Sequence, residues 1–538
     1  MKIKKLLTLL TALCLMLLIC TTFAFAATSV TLNCPSTVKV GSTAIISGTA
    51  TAGSGVSIKI VDSSNNIVYF DIVKAATNGI YTNNFIPAND LAGETVTVVA
   101  GYGSYVATKT LTITTGGGGG GSATTTVTAN NGNKVDNTSI PNTVKCTTTI
   151  ASAASRNGKA SCAVTDTQIA SAVTQAVAAA AAAAGGTGTR AAIEIKVTTD
   201  ANATSLETSI PKTSISSATD KGATAITVSS SIASITFNAK TLDGIVNAAT
   251  DDLKITVEGV DTSTLSASAQ AEVGDHPVFN FSVTSGNSVI SNFASNVTVE
   301  VPYTLANGED GNNIVIYYVN AQGNLEMVKN CVYDETTGKV VFKTTHFSNY
   351  AVGYNKVSFS DVSSWYKDYV SYLSARGIIT GKGESKFAPT ENITRAEFAQ
   401  ILANMSGDEL SSYTASSFSD VKTADWYCEA VTWAYQNGVV LGTDGKFNPN
   451  AYITRQDMAL MLGRYTDKIM NYTLSATVDE ISFTDASSIS DYAADAVSTM
   501  QQAGIISGRS NNTFAPKANA TRAETAKMVA VLVQAMIK

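Results

Sequence analysis

"NITRAEFAQIL", residues 392–402, sets an arginine, Arg395, at the first position of what reads as an amphipathic helix. The helix macrodipole makes that end partly positive, so a cation there is unfavourable by about 0.3–1 kcal/mol. The same arrangement returns in "YITRQDMALML" (452–462) and "NATRAETAKMV" (519–529). Three occurrences demand a common cause, and they mark the C-terminal third as an array of repeats.

Working outward, each unit opens on an F-S/T-D block: Phe359 to Asp361, Phe418 to Asp420, Phe483 to Asp485. An aromatic follows at one aligned position (Trp365, Trp426, Tyr492), then a helical stretch that stops at "RGIITG", "NGVVLG" or "AGIISG". Gly377, Gly438 and Gly504 stand where a left-handed helix cap is needed. A loop then reaches Phe387, Phe447 or Phe514, always eight positions before the arginine. The second helices present Phe398, Ile401, Leu402 and Met405, or Met458, Met461, Leu462 and Tyr465, or Met528, Val529 and Leu532. Helix pairs this small cannot bury such faces alone, so the three units are expected to pack as a pseudo-threefold domain. Thr394 with Glu397, Thr454 with Asp457 and Thr521 with Glu524 read as capping boxes, the shorter aspartate closing its box less well. The arginines cap nothing. They either pair with a carboxylate such as Asp361, Asp420 or Asp485, or they await an anion at free helix amides. In the second case the glycine turns at Gly381, Gly442 and Gly508 let backbone approach a ligand, and Trp365, Trp426 and Tyr492 stack on a sugar ring.

The blocks F-S/T-D, W/Y, G-I/V-I/V-x-G, F-x-P and T-R-A-E resemble the S-layer homology domain of bacterial surface proteins, in three consecutive copies at 357–407, 416–470 and 481–538. The resemblance implies an all-α-dominated pseudo-trimer whose grooves bind secondary cell-wall polysaccharide, commonly carrying pyruvate ketals. It makes Arg395, Arg455 and Arg522 the ligand-binding arginines. Trp365, Trp426, Tyr492, Gly381, Gly442, Gly508, Asp361, Asp420 and Asp485 then belong to the groove walls. The second unit departs with "TRQD", and the third with Tyr492, Ala486 and Arg509 in place of a lysine, so unequal grooves are expected.

The remainder reads as a multidomain chain. Residues 1–26 ("MKIKK", an apolar run, then "AFA") have the form of a secretory signal. Residues 27–115 alternate in short strands divided by turn signals, as in a β-sandwich. The stretch "SGTATAGSGVSIKIVD" resembles bacterial immunoglobulin-like repeats. "GGGGGGS" (116–122) reads as a flexible linker. Residues 123–355 read as a β-rich, mixed α/β region whose one clear helix starts at the Thr165/Gln168 box and is expected to be solvated or loosely packed.

Net charge is −6 with 14% charged residues, which argues against nucleic acid. Five cysteines follow the signal (Cys34, Cys146, Cys162, Cys331, Cys428), scattered and odd in number, so they read as buried thiols unless Cys146 and Cys162 pair. His276 and His346 read as structural, and no cofactor, metal or nucleophile motif is present. No membrane span is read after the signal. The expectation is a secreted, non-catalytic protein of the bacterial wall or S-layer surface, held by polysaccharide. The alternatives are a surface enzyme centred in 123–355 and an adhesin or lattice protein. They are separated by products released from a glycan panel and by self-assembly without 357–538.

Overall fold

The computed structural model describes residues 30–114, 134–137, 143–182 and 190–537, apart from 41–42, 62–66, 86, 88–90, 92, 103–104 and 154. The signal sequence at 1–26 and the glycine linker at 116–122 lie outside these residues. The chain divides into two compact units, 1–128 and 129–538. Its N-terminal and middle regions are strand-rich, and the C-terminal region is partly helical.

In the first unit a five-stranded sheet runs, in spatial order, Thr37–Lys39, Tyr105–Thr114, Thr95–Tyr102, Gly55–Val61, Ile67–Lys74. A second sheet pairs Ala44–Thr49 with Ile80–Phe85. Strict alternation in Ile80–Phe85 turns Tyr81, Asn83 and Phe85 inward. Tyr81 and Phe85 meet Ile46, Ile58, Val98 and Leu111 in one core.

In the second unit, residues 134–137 and 143–354 form two eight-stranded sheets, and 143–354 share a core. Helix α1 (Asp166–Ala182) starts at the expected box: the Thr165 amide donates to Gln168 Oε1 at 2.9 Å, and the Gln168 amide donates to Thr165 Oγ1 at 3.3 Å. It is not loosely held. Ile169, Ala172, Val173 and Ala176 are buried against strands Thr143–Ala151 and Arg190–Thr198, because small alanines let the helix approach the sheet closely. Helices α2 (Lys212–Asp220), α3 (Ala239–Ala248) and α4 (Ala267–Val273) complete this region. Cys146 and Cys162 are buried and unbridged.

Six helices follow in pairs: α5 (Lys367–Ala375) with α6 (Arg395–Ser406), α7 (Cys428–Gln436) with α8 (Arg455–Lys468), and α9 (Asp491–Gln502) with α10 (Arg522–Ile537). Gly377, Gly438 and Gly504 stop the first helix of each pair at φ of 61°, 71° and 74°. Packing between pairs is cyclic. Helix α6 lies on α7, α8 on α9, and α10 returns to α5. Three backbone bonds repeat the cycle: the Ile393 amide donates to the Ala520 carbonyl at 3.1 Å, Ala520 to Ile453 at 3.0 Å, and Ile453 to Ile393 at 3.0 Å.

This ring is fused to the sheets before it. Arg376, with 0% exposure, sends Nε to the Cys331 carbonyl (2.8 Å), Nη1 to those of Asn312 (2.9 Å) and Tyr372 (2.8 Å), and Nη2 to that of Ile314 (2.7 Å). Its guanidinium lies 3.7 Å from the centroid of the Tyr372 ring, whose hydroxyl donates to the same Cys331 carbonyl at 2.9 Å. Lys329 Nζ donates to the Arg376 carbonyl at 2.8 Å, and Lys343 Nζ donates to the carbonyl of Met536. Val332 and Val341 belong to the core of the helical region.

Candidate functional site

The cause of the recurring arginine is visible in its partners. Arg395 Nε donates to the Phe447 carbonyl at 2.9 Å, Arg455 Nε to that of Phe514 at 2.8 Å, and Arg522 Nε to that of Phe387 at 2.7 Å. Each guanidinium also lies over the ring of that phenylalanine, 4.5–5.2 Å from its centroid. The arginine of one unit therefore grips the loop of the next, and the third grips the first. The eight-residue spacing read within a unit serves a contact between units.

The helix amides are not free for an anion, contrary to the expectation. The amides of Arg395 and Ala396 donate to the carbonyls of Ala451 and Pro449, at 2.9 and 3.0 Å. Arg455 and Gln456 use Ala518 and Pro516 in the same way, and Arg522 and Ala523 use Glu391 and Pro389. Thr394 and Thr521 then close full capping boxes with Glu397 and Glu524. Thr454 caps the Asp457 amide at 3.3 Å, while the shorter Asp457 accepts from the Tyr492 hydroxyl at 2.8 Å.

Asp361, Asp420 and Asp485 do not pair with the arginines either. Asp361 accepts the amides of Phe387 and Ala388, both at 2.8 Å. Asp420 holds Phe447 and Asn448, and Asp485 holds Phe514 and Ala515. The second residue of each pair sits at φ of 56–57°, a left-handed turn that the carboxylate stabilises. Burial alone would raise these carboxyl pKa values, but the donated amides outweigh it and hold all three below the ordinary range. Depressed values give stability that is complete above about pH 4 and lost as pH falls through them. The melting midpoint should therefore hold steady from pH 7 to about 5 and drop below about pH 4. In Asp361→Asn it should already be lower at pH 7, with a shallower acid slope, measured by circular dichroism.

Gly381, Gly442 and Gly508 also have a local reason. A Cβ there would come within 2.3–2.8 Å of the ring of Phe359, Phe418 or Phe483, so the close approach is to the unit's own opening phenylalanine.

The aromatics remain outward, with Trp365 56%, Trp426 64% and Tyr492 58% exposed. Other apolar residues, such as Ile72 and Leu441, are as exposed; what sets these three rings apart is that they recur at one aligned position of each unit. One cleft of about 250 Å³ gathers sequence-distant members: Trp365, Arg455, Gly508, Arg509, Glu524 and Lys527. Its aromatic comes from the first unit, its arginine from the second and its loop from the third. In the next groove Arg522 Nη2 donates to the Thr380 carbonyl at 2.6 Å, and Lys382 pairs with Glu397 at 2.6 Å. In the last, Asp457 and Tyr492 flank Arg395. Sequence reasoning missed Glu524 and Lys527 as groove residues, because a cap and a helix-surface lysine carry no signal until the ring is closed.

A sequence profile of the S-layer homology domain matches residues 358–399, 417–459 and 482–526. Residues 358–526 hold three S-layer homology repeats. Among similar proteins, an amylopullulanase of Thermoanaerobacterium thermosulfurigenes is 34% identical over 245 residues, 45% of this chain and 13% of its own length. That match is longer than the 181 residues from 358 to 538, so it takes in residues outside the repeats. Exoglucanase XynX of Acetivibrio thermocellus is 36% identical over 32% of this chain and 16% of its own length. An S-layer protein of Bacillus thuringiensis subsp. finitimus is 29% identical over 32% of this chain and 21% of its own length. The chain thus spans about a fifth or less of these relatives. A superoxide reductase from Ignicoccus hospitalis aligns with 16% of the chain and 80% of its own at 7% identity and a TM-score of 0.13, on which nothing rests.

The repeats and the S-layer relatives support a protein localised at the cell surface or wall and anchored by its S-layer homology repeats. The expectation that the chain is no enzyme is corrected by relatives that carry glycoside hydrolase names, an amylopullulanase and an exoglucanase among them. Among the described residues no helix is long and apolar enough to cross a membrane.

Proposed function

We propose that the three repeats form a pseudo-trimer that binds secondary cell-wall polysaccharide through the grooves between units, with a carboxylate such as a pyruvate ketal as the preferred feature. The observation that carries this is the cleft in which the outward Trp365 of the first unit stands with Arg455 of the second, the same two residue positions being repeated in all three units. An aromatic face stacks on a sugar ring, and a guanidinium fits a carboxylate. Three modest sites on one polymer reinforce each other through effective concentration. The first unit is then an immunoglobulin-like sandwich displayed by the anchor.

The full chain should co-sediment with purified wall sacculi and stop doing so once acid-labile polysaccharide is removed. Trp365→Ala, Trp426→Ala and Tyr492→Ala together should lower binding by about a hundredfold, since truncating a contacting aromatic costs roughly 1 kcal/mol or more and the losses add over three linked sites. Undiminished sedimentation after polysaccharide removal would overturn the reading.

The glycoside hydrolase relatives favour a second reading, that the chain itself cleaves glycan. Release of reducing sugar from starch, cellulose or xylan would establish it.

A further inference from the structure

The three grooves differ in charge, and the difference lies in residues that the repeat pattern leaves open. In the Trp365 groove, Arg455 Nη1 and the Nε and Nη2 of Arg509 converge on one oxygen, Glu524 Oε1, at 2.9, 3.0 and 2.7 Å. Lys527 lines the same cleft, its Nζ donating to Ser507 Oγ at 2.8 Å. Asp485 lies in the field of Arg455 as well, so two carboxylates face three cations. Burial would raise the Glu524 pKa, but the Thr521 amide and the two guanidiniums outweigh it and keep the acid charged.

The other grooves neutralise themselves. In the Arg522 groove Lys382 is shared by Glu397 and Glu391, and Gln400 stands at the position aligned with Lys527. In the Tyr492 groove Thr443 and Leu460 replace Arg509 and Lys527. Asp457 is within the field of Arg395 there, and Lys517 bonds to Ser490 beside Tyr492. One positive charge is left over in this cleft of about 250 Å³, whereas Arg522 faces Glu397, Glu391 and Asp361 and Arg395 faces Asp457 and Asp420, so this cleft attracts an anion more than the others do.

Resting on the function proposed above, we infer that the Trp365 groove is the principal acid-recognising site of this chain, and that Arg509 and Lys527 set its selectivity for a carboxylated over a neutral glycan. Glu524 holds the two guanidiniums at fixed positions, and the glycan carboxylate supplies the balancing negative charge. Trp365 packs on the sugar that bears it.

Tryptophan fluorescence tests this directly, because the chain has three tryptophans and Trp433 is fully buried. In full-length Trp426→Phe, Trp365 is the one exposed reporter among them. Solubilised wall polysaccharide should change its emission, and the same polysaccharide with carboxyls reduced to alcohols should not. In an Arg509→Thr, Lys527→Gln background the titration midpoint should rise about tenfold or more, the loss expected when charged hydrogen-bond partners are removed. A response in Trp365→Phe but not in Trp426→Phe would overturn the inference. So would an unchanged midpoint in the double variant, or a silent Trp365 in protein that still sediments with polysaccharide-bearing sacculi. Wild-type protein that fails to sediment with those sacculi would instead overturn the function on which the inference rests.

Discussion

Arg376→Ala is expected to destabilise the 129–538 unit by about 3–5 kcal/mol, the largest single-residue effect in the chain. The residue donates to four carbonyls from three segments, at Cys331, Asn312, Ile314 and Tyr372, and is wholly buried. Removing it takes a donor from each of these carbonyls in a site water reaches poorly, with Cys331 keeping the Tyr372 hydroxyl, at about 1–3 kcal/mol for each one left unsatisfied. It also removes the cation over the Tyr372 ring. Arg376→Met keeps the stem and should recover a minor part, since packing is restored and the hydrogen bonds are not. Urea unfolding, with m-values compared, measures both. A wild-type midpoint in Arg376→Ala would show that the sheets and the helical ring are held together by apolar contacts alone.

The second large effect concerns the third copy of the recurring arginine. Arg522→Ala is expected to cost about 2–4 kcal/mol, because Arg522 is 4% exposed and binds the carbonyls of Phe387 and Thr380. It closes the ring between the last unit and the first, 135 residues away in sequence. Arg395→Ala should cost less, since Arg395 is only half-buried and its side chain donates to one carbonyl. Equal midpoints for the two variants would show that ring closure does not depend on burial of the arginine. Because alanine at these positions weakens the fold, loss of binding in arginine variants cannot by itself locate a ligand. The exposed aromatics are the cleaner probes.

Much of this was legible in the chain. The repeat blocks, the helix-stopping glycines and the Thr394/Glu397 box each rest on local physics, and local physics survives the closing of the fold. What was not legible lies between units. The arginine's acceptor is the backbone carbonyl of a loop phenylalanine in another repeat, and a carbonyl has no sequence signature. Asp361, Asp420 and Asp485 read as possible arginine partners because their charge is opposite. Their actual partners are two amides that any residues could have supplied. The fusion through Arg376 was hidden for the same reason. A lone arginine in "SARGIIT" reads as a helix-end cation, and nothing in the sequence says that Cys331, Asn312 and Ile314 converge on it.

A closed ring of repeats changes how such a tether fails under flow. In an open array the outermost repeat has one neighbour, so a tangential pull can peel it away and pass the load inward, seam after seam. Here the Ala520, Ile453 and Ile393 bonds leave no repeat with a single seam. Detaching any one means shearing two seams together, which takes a larger force and spreads the strain around the circle. On the function proposed above, the link that yields first under tension is then the reversible grip on the polymer. A surface protein built this way lets go and rebinds intact rather than unravelling where it stands.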